Sequence, residues 1–226
     1  AGKVMKHIRQ ICTGVLAFIM LIGLSGCMHI NLPKSEAQIT RELLDYLEQK
    51  YGREFEALYF ESGVNILNCY PKGGDPVTDR IFIEITRDKD RNKIYRDNGF
   101  ALVIREDVEA QIRDACAKIP LSAKVYMDTA VPSDPLLDGS KTYEDLKARG
   151  KYHLECEVFI LCEDLEKREQ YADQIADLLQ QDNYSGMVFI RTIPDTETYE
   201  KMTRRNKNDV FKINNETMFS IMKIIN

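Results

Sequence analysis

The chain has 226 residues, of which 44% are hydrophobic and 30% charged, with 36 acidic against 31 basic side chains and a net charge of −5. That balance is globular, which excludes disordered and fibrous classes. A net acidic chain is a poor match for non-specific nucleic-acid binding, which rests on Lys and Arg neutralising phosphates. The length predicts one domain or two small ones.

The average hides an asymmetry at the N-terminus. Residues 1–26 hold Lys3, Lys6 and Arg9 and no acid, and Ile11 to Leu24 carries no charge. A short basic segment before a compact apolar run is the plan of a secretory signal peptide. The run falls short of the ~20 residues that a spanning helix needs. Met5 reads as the start of this segment, with Lys6 to Arg9 as its basic region. The apolar run ends in Leu24-Ser25-Gly26-Cys27. This motif resembles the lipobox of bacterial lipoprotein precursors, and the plan of short tether then helix is similar to that of small Gram-positive lipoproteins. The resemblance covers residues 5–27 alone. It implies lipid attachment at the Cys27 thiol, cleavage just before it, and a protein held by its lipid on the outer face of the cell membrane. Removing the +3 leader from a net −5 leaves −8 on the part from Cys27 onward. Met28 to Lys34 would then be a tether reaching roughly 25 Å at most.

Ser35-Glu36-Ala37-Gln38 reads as a capping box. It opens a helix through Ile39, Leu43, Leu47 and Tyr51 that Gly52 can end. Strands are predicted over Phe55–Glu61, Val64–Tyr70 and Arg80–Arg87, the last with Ile81, Ile83 and Ile85 alternating. Pro71 to Pro76 is a loop. Lys93 to Ile104 reads as a further strand or pair of strands. A helix is then predicted from about Glu106 to Ile119, stopped by Pro120.

Leu121, Ala123, Val125 and Met127 alternate as in a strand. Thr129 to Ser140 is rich in Pro and Asp and reads as a long loop, with a sub-domain boundary near 129–141. Thr142 caps a short helix before Gly150. Tyr152 to Cys162 is a strand with Leu154, Cys156, Val158, Ile160 and Cys162 on one face, and Glu155 and Glu157 on a face expected to meet solvent. An amphipathic helix follows from about Leu165 to Gln181. Met187 to Ile193 is apolar on both faces, as in a central strand. Pro194-Asp195 opens a short helix ending near Arg204-Arg205, and Val210 to Asn226 reads either as a hairpin or as a strand plus helix. Strands cluster in the first half and mix with helices in the second, which predicts an α+β class with a mixed or mainly antiparallel sheet and packed amphipathic helices.

Chemistry-bearing motifs are few. Asp88-Lys89-Asp90-Arg91-Asn92 imitates the start of an EF-hand loop, but Lys93 stands where glycine is required and Gly99 where a bidentate glutamate is required, so a polar hairpin turn is expected. Cys69, Cys116, Cys156 and Cys162 are expected to be buried thiols, with one long-range disulfide as the alternative. His153 is the one histidine beyond the tether, and no G-x-S-x-G or H-E-x-x-H segment accompanies it. Asp134 and Asp138 are the most plausible carboxylate pair for hydrolysis. Gly73-Gly74 lacks the G-K-[ST] of a phosphate loop. No catalytic, metal or cofactor residue is assigned. The expected function is a non-enzymatic interaction module contacting another envelope protein or a peptide; an extracytoplasmic hydrolase or small solute-binding lipoprotein is the alternative.

Overall fold

A computed structural model describes residues 34–128, 136–150, 152, 154–213 and 219–225. Cys27, Asp134, His153 and residues 28–33 of the tether lie outside the described residues. Residues from Glu36 onward belong to one contact unit. It is an α+β fold with two four-stranded sheets.

The first sheet is a meander. After helix α1 (Glu36–Tyr51) come β1 (Phe55–Glu61), β2 (Ile66–Pro71), β3 (Ile81–Arg87) and β4 (Lys93–Asp97), in spatial order β1-β2-β3-β4 and antiparallel throughout. The alternation of Ile81, Ile83 and Ile85 does what the period predicts: Leu67 faces Ile83 and Cys69 faces Ile81 across the ladder, all on the covered side. Between β3 and β4 the Asp88 carboxylate accepts from the N–H groups of Asp90 (2.9 Å) and Asn92 (2.7 Å), so the EF-hand imitation is a hairpin turn satisfied by its own backbone.

Helix α2 (Phe100–Ala117) begins at Phe100, six residues before the expected start, in a stretch whose sequence pattern predicts a strand or pair of strands to Ile104. The run Phe100 to Ile104 is apolar without a gap, so no period shows there. On the helix, Phe100, Ala101, Ile104, Val108, Ile112 and Ala115 are all buried. The Asp97 carboxylate closes the turn by accepting from Gly99 N (2.9 Å).

The second sheet has order β5-β6-β7-β8, from β5 (Ala123–Met127), β6 (Leu154–Leu161), β7 (Gly186–Ile193) and β8 (Phe219–Ile225). β6 and β7 are parallel, joined through a 3-10 turn (Leu165–Lys167) and helix α4 (Arg168–Gln181); the outer pairs are antiparallel. Helix α3 (Tyr143–Ala148) precedes β6 and carries the expected Thr142 cap, which forms a capping box with Asp145 as its reciprocal partner. Two short helices, α5 (Thr196–Lys201) and α6 (Lys207–Ile213), separate β7 from β8, so the tail is a helix followed by a strand. Helices α2 and α4 cover one face of this sheet, and α5 lies against β7.

One cluster of buried side chains, from Leu43 to Ile225, spans both sheets. Fully burying an aliphatic or aromatic side chain of this kind contributes about 1.5–3 kcal/mol. Cys69, Cys116, Cys156 and Cys162 are free thiols within or beside it. Among the described residues no helix is long and apolar enough to cross a membrane.

Candidate functional site

Two features stand out, a charged network on the second sheet and an open face on the first. Glu157 was expected on a solvated face; it is 4% exposed. β6 is central and buried on both sides, because the α5–α6 segment folds over the sheet and sets Tyr199 and Met202 against Phe159 and Ile193. A buried carboxylate needs charged partners. Glu157 has two: Arg191 on β7 (2.6 Å) and Lys207 at the start of α6. Lys207 also reaches Asp128 at the end of β5 (3.2 Å).

A second buried acid lies beside it. Glu109 on α2 accepts from Met127 N (2.8 Å) and from the Arg204 guanidinium. Arg204 donates in turn to Met127 O (3.1 Å) and lies over the Tyr126 ring, 5.2 Å from its centroid. So Arg204 and Lys207 are both fixed by acids from other elements.

The corner that carries them is held from below. Lys124 on β5 donates to three carbonyls at the end of α5: Tyr199 (2.6 Å), Glu200 (3.0 Å) and Met202 (2.8 Å). An ammonium has three donors, and a helix C-terminus has carbonyls without intrahelical partners, so the match is complete. Asn206 then fastens the turn, its side chain accepting from Thr203 N (2.6 Å) and donating to Lys201 O (3.0 Å).

The opposite wall comes from the β2–β3 loop. Asp75 accepts from Val77 N (2.8 Å), the main reason its carboxyl is held below the usual range. Burial works to raise the Asp79 carboxyl, but the Asp75 N–H and Arg105 outweigh it and hold it low. Arg105 on α2 binds Asp79 (2.6 Å) and Thr78 O (2.9 Å), pinning the loop to the helix. Arg205 reaches across to Asp75 (3.0 Å). Between the walls lies a recess of about 230 Å³, lined by Thr78, Arg80, Asp128, Arg204, Arg205 and Lys207 among others.

The second feature is the outer face of the first sheet. Alternation and register place Glu56, Tyr59 and Glu61 on it from β1, Ile66, Asn68 and Tyr70 from β2, Phe82 and Glu84 from β3, and Arg96 from β4. A bulge between Ala57 and Tyr59 leaves Leu58 unpaired at the edge. Leu58, Tyr59 and Phe82 are 38%, 49% and 38% exposed. Tyr59 and Phe82 flank Asn68 across three strands. The face carries three acids against one base.

Of the residues weighed from sequence, Asp138 is half-exposed and caps its own turn through Ser140 N (2.9 Å). Burial pushes the thiols of Cys69, Cys116 and Cys156 up to about 12, which makes them poor nucleophiles. Among the described residues no group of three or more His, Cys, Asp or Glu side chains is placed to hold a metal ion. Sequence reading missed Glu109, Glu157 and Lys207; the one local signal was the Arg204-Arg205 pair. No family model matches the chain, and neither a curated protein nor a solved structure is significantly similar to it.

Proposed function

We propose that the protein is exported, lipidated at Cys27 and held on the outer face of a bacterial membrane, where it acts as a non-enzymatic interaction module. The membrane part of this reading rests on the basic region, apolar run and lipobox of residues 5–27. The observation that supports an interaction module is the open outer face of the β1–β4 sheet. Exposed Leu58, Tyr59 and Phe82 there are framed by Glu56, Glu61 and Glu84. Aromatic side chains anchor protein interfaces, and a rim of one charge sign selects a partner of the other. The occupant is accordingly a basic segment of another envelope protein that presents apolar side chains to the sheet.

Two experiments test this. Cys27→Ala abolishes fatty-acid labelling and leaves the precursor uncut; unchanged labelling would sink the anchor. A photo-crosslinker at position 59 or 82 gives one adduct in cells, mapping to a basic stretch of an envelope protein. The same crosslinker at Glu169, exposed on α4, gives none. Equal adducts from all three positions, or an acidic crosslinked segment, would refute the assignment.

A further inference from the structure

We propose that the recess between the β2–β3 loop and the α5–α6 corner binds a phosphate-bearing anion. Four of its five ionisable lining residues are cations: Arg80, Arg204, Arg205 and Lys207. They gather at one place in a chain whose net charge is −5. The one acid among the lining residues, Asp128, is paired with Lys207 at 3.2 Å, and Asp75 of the facing loop is paired with Arg205 at 3.0 Å.

The cations differ in a way that suits binding. Arg204 and Lys207 are the inner pair, held by Glu109 and the Met127 carbonyl and by Glu157 and Asp128. Their position is set before any ligand arrives, so little side-chain freedom remains to be lost. Arg80 and Arg205 are the outer pair and are exposed. An arginine carries five N–H donors. Arg205 gives one to Asp75, and Arg80 takes part in no hydrogen bond or ion pair with another described residue. The recess therefore holds a surplus of charged donors that protein acceptors do not use.

The donor set also chooses among anions. Three guanidinium groups around one recess exceed what the two oxygens of a carboxylate can accept; a phosphate offers three or four oxygens to planar forks that fit them. The volume, about 230 Å³, lies below that of a drug-sized site and suits a phosphate with a small alcohol attached. Free phosphate esters and the headgroup of a phospholipid share this chemistry.

The test is titration calorimetry of the full chain in detergent, with inorganic phosphate and with glycerophosphoglycerol as a soluble lipid headgroup. At least one binds saturably. Arg80→Gln and Arg205→Gln each weaken it about tenfold, the effect of losing one charge-assisted contact, and both variants unfold like the wild type because the residues are exposed. Tighter binding of inorganic phosphate assigns a free phosphate, and tighter binding of the diester assigns a lipid headgroup. Binding of neither, equal binding by the double variant, or equal competition by acetate overturns the proposal.

Discussion

The buried pair Lys50–Asp97 gives the sharpest test of how this fold is held. Asp97 ends β4 with a fully buried carboxylate that accepts from Lys50 Nζ (2.8 Å), Tyr51 Oη (2.5 Å) and Gly99 N (2.9 Å). Lys50 is 6% exposed at its side chain and lies 5.3 Å from the centroid of the Tyr51 ring. Together they tie α1, β4 and the first turn of α2. Asp97→Ala leaves the Lys50 ammonium in the interior without its carboxylate, and breaking one side of such a pair costs about 3–5 kcal/mol. The Tyr51 hydroxyl and the Gly99 N–H lose an acceptor as well; these losses share one group and do not add in full. The expected destabilisation is about 4 kcal/mol, which at roughly 2–4 °C per kcal/mol for this size is a fall of about 8–16 °C in Tm. Lys50→Met costs less, because Asp97 keeps its two neutral donors. Asp97→Asn with Lys50→Met removes both charges and keeps an acceptor for Tyr51 Oη and Gly99 N, so it costs well below Asp97→Ala, since removing both members of a buried pair is far milder than removing one. Urea unfolding followed by circular dichroism measures all three. A loss below about 1 kcal/mol for Asp97→Ala, or a double variant no more stable than Asp97→Ala, would refute the reasoning.

Two further outcomes follow from backbone and thiol burial. A Cβ on Gly186 would lie 2.3 Å from Leu154 O and 2.8 Å from Leu154 N, inside the β6–β7 ladder, so Gly186→Ala is expected to cost about 3 kcal/mol. Gly63→Ala meets nothing within 4 Å and is its control; equal urea midpoints would refute the register. Cys69, Cys116 and Cys156, whose ordinary value is 9.0, are pushed by burial up to about 12. A raised folded-state value means that the folded chain holds these protons longer than the unfolded one. Their contribution is whole below pH 9 and is lost as the pH rises toward 12. Native labelling at pH 8, mapped by mass spectrometry, is therefore expected at Cys162 before the other three, and rapid native labelling of Cys156 would contradict its burial.

Much of the fold was legible because its elements carry a period. Ile81, Ile83 and Ile85 named β3, Tyr171 to Leu179 named α4, and Thr142 named the start of α3. Legibility failed where no period exists or where the deciding partner is remote. Phe100 to Ile104 is apolar at every position, so strand and helix look alike; the buried Asp97 turn and the packing of Phe100 and Ile104 decide for the helix. Glu157 was assigned to solvent because its strand alternates, yet its neutralising Lys207 lies 50 residues away on a helix the ambiguous tail did not reveal. The recess is harder still. Arg80 and the Arg204–Arg205 pair come from opposite halves of the chain, and no spacing links them.

Stability alone does not explain why that corner is built from charges. Buried ion pairs contribute little against well-packed apolar side chains of the same volume, since desolvation consumes most of the Coulomb gain. The neighbouring cluster of Phe159, Ile193, Tyr199 and Met202 shows that apolar packing is available on the same face. Glu109 and Glu157 do something apolar residues cannot: each holds a cation from the α5–α6 corner in one place beside the recess. Lys124 fixes the same corner by satisfying three carbonyls, and Arg105 fixes the facing loop by Asp79 and Thr78. Four separate polar attachments thus converge on the two walls of one small recess. A fold that needed only to close its core could have ended β7 and begun β8 with far fewer buried charges. Their concentration here follows if the geometry of Arg204 and Lys207 is itself what the corner maintains.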